Sequence, residues 1–476
     1  MVFMLWSRRW QSCSARSRGG WQNASEPVKP MGKYFGTSGI RGLASSQLTD
    51  AFVRKAADAA GAFYGAEKKV CIARDTRPSG QRIRDALAQG LAEQGCEVTD
   101  FGVLTTPGLY YLTRELGFDG GVMITASHNP PEYNGIKFCD ANGALPEADE
   151  EAIEKLIDKP PARAKTKGTL REIDGVTEYA ERLVKIAPKP RKRMRVLVDC
   201  AAGPAALVAP RVLRKLGYDV VEFNCVPDAT KSNRPLEPKA PNLKLAVEAL
   251  RETGAEAGIA FDGDADRVAF FDRNGAWDDD ENNAAVCLAN LKSKKNRLVI
   301  GTVESRSYLD AVLAKIGATV YRTKVGDGAI VRACREKNAA MGVEESGHYV
   351  MPEFGFFSAA LYPALVLLAS TDDFSSVRKT LAETPRNHSS KKRLACPNEK
   401  KQKAMAFIGK KLESLEGNGV LNDADGFRYD YPDSSWLMVR PSGTEPIIKL
   451  YFEARTLVRV QELERAVESI AKEALG

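Results

Sequence analysis

The chain has no apolar run near the roughly 18 residues of a membrane-spanning helix, and it contains no heptad repeat or low-complexity tract. That argues against a membrane protein, a coiled coil or a disordered scaffold. Its nine cysteines (Cys13, Cys71, Cys96, Cys139, Cys200, Cys225, Cys287, Cys334 and Cys396) are scattered and odd in number. None forms a C-x-x-C pair, which speaks against a disulfide framework and a structural zinc site and fits a reducing cytoplasm. Histidine is scarce, with His128, His348 and His388 the whole supply. Acids are scarce at the start: residues 1–30 hold Arg8, Arg9, Arg16, Arg18 and Lys29 against Glu26 alone, so +4 of the formal +7 lies there. The remaining +3 is too small, and too free of aromatic-interleaved basic patches, to imply nucleic acid.

What is present is enough for several cores: 476 residues, 43% hydrophobic and 28% charged. The opening MVFMLWSRRWQSCSARSRGGWQNASEPVKP lacks the continuous apolar stretch of a secretory signal. It reads as an unstructured leader over residues 1–30, with Met31 opening the folded part.

Beyond the leader, one order of events occurs three times. A β-branched run (KVCIARD, MRVLVDC, RLVIGTV) is followed by a helix-like stretch and a second run (CEVTDFG, YDVVEFN, ATVYRTK). A third apolar run then ends in a polar loop: GGVMITASHNP, EAGIAFDGDADR and AAMGVEESGHY. Strands alternating with helices predict α/β units containing parallel strands. The expected division is 31–188, 189–290 and 291–385 for three similar mixed-sheet α/β domains. A smaller α+β domain follows over 386–476, beyond a polar, charged hinge at 372–403.

The loops carry the chemistry. Asp262, Asp264 and Asp266 alternate in FDGDADR, and converging carboxylates need a divalent cation or they repel one another. An EF-hand is excluded because Arg267 and Arg273 stand where its glycine and bidentate glutamate belong. A D-x-D phosphatase wants Thr or Val where Ala265 and Asp266 follow. The turn RPSGTEP offers Arg440, Ser442, Gly443 and Thr444: a guanidinium, two hydroxyls and an open backbone amide, the donor set a phosphate dianion asks for. Strand-like LMV and IIKLYF on either side would hold it rigid. In GVEESGHYV, Glu344, Ser346 and His348 alternate after an apolar run, and acceptors beside a hydroxyl suit the vicinal hydroxyls of a sugar. Ser127 sits at a strand end closed by Asn129, Pro130 and Pro131. No G-x-S-x-G elbow supports a hydrolase. A serine that carries a phosphoryl group explains more, since it would add an oxygen ligand to a cation held by the aspartates.

TASHNP with NGIK downstream, FDGDADR, VEESGH and RPSGTEP, in this order and spacing, resemble the α-D-phosphohexomutases, from GKYFGTSGIRG at 32–42 to the C-terminus. The resemblance implies four domains around a central cleft, each giving one loop. It implies that Ser127 is phosphorylated and that Mg²⁺ is bound by its phosphate with Asp262, Asp264 and Asp266. A hexose 1,6-bisphosphate would be the intermediate and activator, and sugar phosphates the ligands, in a monomer or homodimer. Arg41, His128, Lys137 and Arg267 would surround the transferring group, with Lys137 or His128 handling the proton. Glu344, Ser346 and His348 would read the sugar, helped by Thr323 to Gly326. Arg440, Ser442, Gly443 and Thr444 would hold the phosphate that does not react.

Two features depart from the family pattern: GVEESGH lacks a common double glycine, and MPEFGFFSAALYPA lacks an Asp-Gly pair. The glutamate-rich loop could pair with an ammonium, which points to phosphoglucosamine mutase, an isomerase, with phosphomannomutase/phosphoglucomutase as the alternative. A non-catalytic sugar-phosphate or cation binder and a metal-dependent phosphatase are the rivals on the same scaffold.

Overall fold

The computed structural model describes residues 32–36, 38–413, 419–443 and 445–475; the leader expected over 1–30 lies outside them. All nine strands expected from the threefold pattern form, and each trio pairs in one way. The first strand lies between the second and third, in parallel: Lys69–Arg74 between Glu97–Val103 and Gly120–Ile124, Arg195–Asp199 between Asp219–Phe223 and Ala257–Phe261, and Leu298–Thr302 between Thr319–Thr323 and Met341–Val343. The third strand then turns back on itself into an antiparallel strand: Tyr133–Asp140, Val268–Asp272 and Tyr349–Val350 respectively. Each polar loop singled out in the sequence is the connection into that returning strand. The third strands Gly120–Ile124 and Ala257–Phe261 are buried throughout, as continuous apolar runs in parallel sheets covered on both faces must be.

The fourth unit is a five-stranded sheet in the order His388–Ala395, Ile447–Ala454, Trp436–Pro441, Phe427–Asp430 and Val420–Asn422, with every pairing antiparallel. Helices Asn398–Leu412 and Leu457–Leu475 pack on it. The stretch 372–403, expected as a hinge, instead holds helix Phe374–Ala382 and strand His388–Ala395. That strand lies at the sheet edge, largely exposed, with Lys391, Lys392 and Arg393 in it. Charges on an edge strand blunt aggregation, and they also erase the apolar alternation by which a strand is recognised.

One apolar core runs through the first three units, from Tyr110, Tyr111 and Met123 through Val196 and Phe261 to Phe354 and Leu365. Its aromatic seam is built by the departing segment 351–362. Phe354 stacks on Tyr111 at 4.9 Å and on Tyr362 at 4.6 Å, while Phe357 meets Tyr110 edge-on at 5.7 Å. The fourth unit has its own core around Ile408, Leu437, Leu450 and Val467. It meets the third through a small cluster of Val303, Trp436, Met438 and Tyr451.

Candidate active site

The serine loop is held by more than its prolines. Arg77, 2% exposed, donates from its guanidinium to the carbonyls of Ser127 and Asn129, each at 2.7 Å, Pro130 at 2.5 Å and Tyr133 at 2.9 Å. The Asp75 carboxylate balances its charge at 2.9 Å. Ser127 itself adopts φ 50°, a left-handed conformation that a non-glycine residue keeps only where its surroundings over-determine it. Its amide donates to Thr125 Oγ1 at 2.9 Å, and its hydroxyl donates to Asp262 Oδ2 at 2.7 Å, with His128 Nδ1 3.3 Å away. Gly263 is required here, because a Cβ would fall 2.3 Å from the Ser127 carbonyl oxygen.

Asp262, Asp264 and Asp266 are all buried, and each offers an oxygen within 4.8 Å of the others'. Thr106 opens the Thr106–Glu115 helix, capped by Thr105, and donates to Asp264 Oδ2 at 2.5 Å; Lys137 Nζ lies 3.0 Å from that oxygen and 3.2 Å from Asp266 Oδ2. Burial opposes ionisation of all three. For Asp264 and Asp266 the Lys137 ammonium reverses that, aided at Asp266 by the His348 ring, and holds both below the usual carboxylate range. At Asp262, burial and the two acidic neighbours outweigh the opposing charge of Arg267 and push the carboxyl well up. Asp264 Oδ1 is buried without a hydrogen-bond partner among the described residues. A carboxylate that Arg267 only partly offsets, beside an unpartnered buried oxygen, is a donor set short of positive charge, which fits a hard divalent cation.

The sugar loop closes onto this cluster. His348 bridges Glu344 Oε2 at 2.8 Å and Asp266 Oδ1 at 3.2 Å. Burial alone would lower its pKa, but Asp266 and Glu344 push it up to about 10, which favours the protonated ring. Ser346 donates to Glu344, whose other oxygen accepts the Gly326 amide at 2.8 Å. Arg267 approaches the His348 ring at 3.3 Å and pairs with Glu237 at 3.3 Å. His128 is pushed down to about 4 by burial and by the positive charges of Arg267 and Arg41. Arg41 Nε, in strand Gly39–Leu43, is buried with no hydrogen-bond partner among the described residues. The structure therefore brings together Ser127, His128, Lys137, Arg41, the three aspartates, Arg267, Gly326, Glu344, Ser346 and His348. Thr323, half-buried at the end of its strand, takes no side-chain hydrogen bond.

The phosphate turn stands apart from that cluster on the fourth unit. Arg440 donates to Asp425 Oδ2 at 2.6 Å and, across the junction, to Glu304 Oε1 at 2.8 Å. Lys401 pins the turn from beneath through the carbonyls of Ser442 at 2.5 Å and Glu445 at 2.6 Å. Gly443 faces open space; Thr444 lies outside the described residues.

Sequence reading missed the residues that brace these loops, because each acts on a distant segment. Arg77 does so for the serine loop. Buried Arg234 does so for the aspartate loop, through Asp199 Oδ2 and the Phe261 carbonyl, each at 2.7 Å. Arg428 stacks on Trp436 and donates to the carbonyls of Val303 and Ser305 at 2.8 Å, fixing the segment that carries Glu304.

Glu345, which no motif singled out, has a separate place. It turns away from its neighbour Glu344 and accepts from Thr302 Oγ1 at 2.9 Å, and burial pushes it up to about 7 despite that hydroxyl and Ser305's. A carboxyl whose folded pKa is raised from 4.5 contributes its full stability below about pH 4.5 and loses it as pH rises through about 7. Glu345→Gln cannot ionise. Its stability relative to wild type should therefore grow by up to about 3 kcal/mol between pH 5 and pH 8, read from urea midpoints; a pH-independent difference would refute the buried acid.

Four family models cover the chain: phosphoglucomutase/phosphomannomutase alpha/beta/alpha domains I, II and III over 32–164, 176–275 and 279–388, and the C-terminal domain over 392–470. A probable phosphoglucosamine mutase of Methanopyrus kandleri is 38% identical over 91% of this chain and 96% of its own. A phosphoglucomutase/phosphomannomutase of Thermococcus kodakarensis is 36% identical over 94% of this chain and 100% of its own. Among solved structures, a phosphoglucomutase/phosphomannomutase family protein from Burkholderia thailandensis superposes with a TM-score of 0.83 at 26% identity, covering 93% of this chain and 97% of its own.

Proposed function

Because the chain belongs to the phosphoglucomutase/phosphomannomutase family, we propose that it interconverts the 6- and 1-phosphates of glucosamine through a phosphorylated Ser127 and a bisphosphorylated sugar. One observation carries this reading: a buried, conformationally fixed Ser127 hydroxyl lies 2.7 Å from Asp262 at the edge of a charge-deficient aspartate triplet.

The chain's own groups have distinct parts. The phosphoserine presents its phosphoryl group to a sugar hydroxyl, and His128 or Lys137 holds the proton that hydroxyl gives up. Arg41 and Arg267 bring positive charge to the moving group. Asp262, Asp264 and Asp266 are the residues that would hold Mg²⁺, which supplies charge neutralisation of the phosphoryl group when bound. Glu344, Ser346 and His348 meet the sugar ring, with the Thr323 to Gly326 segment beside them. Arg440, Ser442, Gly443 and Thr444 take the second phosphate. The bisphosphate then turns over and returns its other phosphoryl group to Ser127. All these residues come from one chain, so a monomer or a homodimer serves equally, in the reducing cytoplasm that the cysteines fit.

Glucosamine is favoured by the relatives named phosphoglucosamine mutase and by Glu344, an ionised acceptor held at about pKa 2 against burial by His348 and Ser346. The test is kcat/KM for the 6- and 1-phosphates of glucosamine, mannose and glucose, with Mg²⁺ and a trace of hexose bisphosphate. A hundredfold preference for the amino sugar, about 2.7 kcal/mol of transition-state discrimination, is the expected result. Equal or better turnover of mannose or glucose phosphates would overturn the sugar assignment and leave the mutase standing.

Arg440 bears on binding more than on chemistry. Arg440→Ala removes a charge-assisted pair to phosphate worth about 1.5–3 kcal/mol. KM for the monophosphate should rise about 10- to 100-fold while kcat changes little. Steady-state kinetics check this, and a drop confined to kcat would place Arg440 in the transferring step instead.

A further inference from the structure

Strands Arg195–Asp199 and Asp219–Phe223 run parallel with Phe223 opposite Asp199, so the chain leaves both at the same end of the sheet. Cys200 follows the first strand directly, and Cys225 follows the second after one intervening residue. Their sulfurs lie 3.0 Å apart, against about 2 Å in a disulfide bond. No element separates them. Among the described residues, the other hydrogen-bond partners of the Cys225 thiol are the carbonyls of Phe223 at 3.3 Å and Val198 at 3.4 Å.

The two thiols differ in access: Cys200 is buried and Cys225 is partly exposed. The contrast with Cys71 and Cys139 is instructive. Both of those are buried, and the Thr113 hydroxyl stands between them at 3.1 Å and 3.8 Å. An oxidant has no exposed sulfur to attack there.

We propose that Cys200 and Cys225 form a reversible dithiol–disulfide couple, a modification site independent of the mutase chemistry. The oxidant is a low-molecular-weight disulfide such as glutathione disulfide. The partly exposed Cys225, as thiolate, attacks one glutathione sulfur, forming a mixed disulfide and releasing one glutathione thiolate, which takes up a proton. Cys200 gives its proton to solvent, and its sulfur attacks the Cys225 sulfur and expels the second glutathione. The protein loses two electrons and two protons, and one glutathione disulfide becomes two thiols. Burial holds the Cys200 thiol protonated, which leaves Cys225 as the sulfur that reacts first.

The site has neighbours of consequence. Ala201 and Ala202, next along the chain, hold φ values of 50° and 55°. The Ala202 carbonyl accepts from Thr76 Oγ1 at 2.9 Å, beside the Arg77 that grips the serine loop. Gly203 is backed against the Gly263 carbonyl, where a Cβ would come within 2.6 Å. The couple thus lies at the foot of the aspartate and serine loops.

The experiment exposes the reduced, folded full chain to glutathione disulfide, then alkylates it with iodoacetamide in denaturant and maps tryptic peptides by mass. Val196–Arg211 and Leu216–Lys231 are expected as a single cross-linked species that dithiothreitol separates, with Cys71 and Cys139 recovered alkylated. In Cys200→Ser, Cys225 is expected to stop at the glutathione mixed disulfide, raising its peptide by one glutathione. Recovery of Cys200 and Cys225 both fully alkylated in wild type overturns the proposal. So does a cross-link that appears only when oxidation is done in denaturant.

Discussion

Ser127→Ala should lower kcat by at least about 10⁴-fold, about 5 kcal/mol of lost transition-state stabilisation, with the protein still folded. In the proposed mechanism the hydroxyl is the acceptor and donor of the phosphoryl group, and no other described hydroxyl takes its place against Asp262, because Arg77 and the left-handed backbone fix Ser127 alone in that position. Its loss removes one hydrogen bond from a loop that Arg77 holds through four carbonyls, so the fold survives. Peptide mass should show one phosphate on Ser127 in wild type treated with hexose bisphosphate and none in the variant. Turnover of Ser127→Ala within tenfold of wild type would sink the phosphoserine mechanism. Inorganic phosphate released from wild type without isomer formation would instead favour the phosphatase reading.

Asp262→Asn gives the second large effect, with two readouts of opposite sense. Activity should fall about 10²- to 10³-fold, the range found when one electrostatic partner of a developing charge is removed. Heat stability without metal should hold or rise, since the wild-type carboxyl is already disfavoured as an anion by burial and by Asp264 and Asp266. Mg²⁺ at a hundred times its dissociation constant would stabilise wild type by about 2.7 kcal/mol, and that shift should vanish in the variant. Melting curves with and without Mg²⁺ decide it. An undiminished Mg²⁺ shift in Asp262→Asn would show that the triplet is not where the cation binds.

The centre of the site was legible because its parts are short contiguous patterns. Alternating aspartates after an apolar strand and a serine before a double proline state their chemistry within a few residues. The supports were not legible, because each is an ordinary residue made special by a distant partner. Thr106 meets Asp264 across 158 positions, and Arg440 meets Glu304 across 136. Glu345 stands next to Glu344, but adjacent residues at a strand's end point to opposite faces, and only one of the pair can face the cleft. The strand His388–Ala395 was hidden by the charges that suit an edge. The absence from this chain of the family's double glycine and Asp-Gly pair also has a physical reading. Val343 is buried in its strand, and the 351–362 segment is committed to the aromatic seam with Tyr110 and Tyr111.

That seam sets how the molecule comes apart. With one core threaded through three sheets, opening any of them exposes the apolar faces of the other two, so they have no separate melting points and should unfold in a single cooperative step. The C-terminal sheet, with its own core and a four-residue apolar junction, is a second cooperative unit. Calorimetry of the free protein should resolve two transitions. A bisphosphorylated sugar anchored at Arg440 and at Ser127 would tie the units together and draw the two peaks toward one. The three sheets that carry Ser127 and the aspartates would then answer to heat as one piece, and the sheet that carries Arg440 as another.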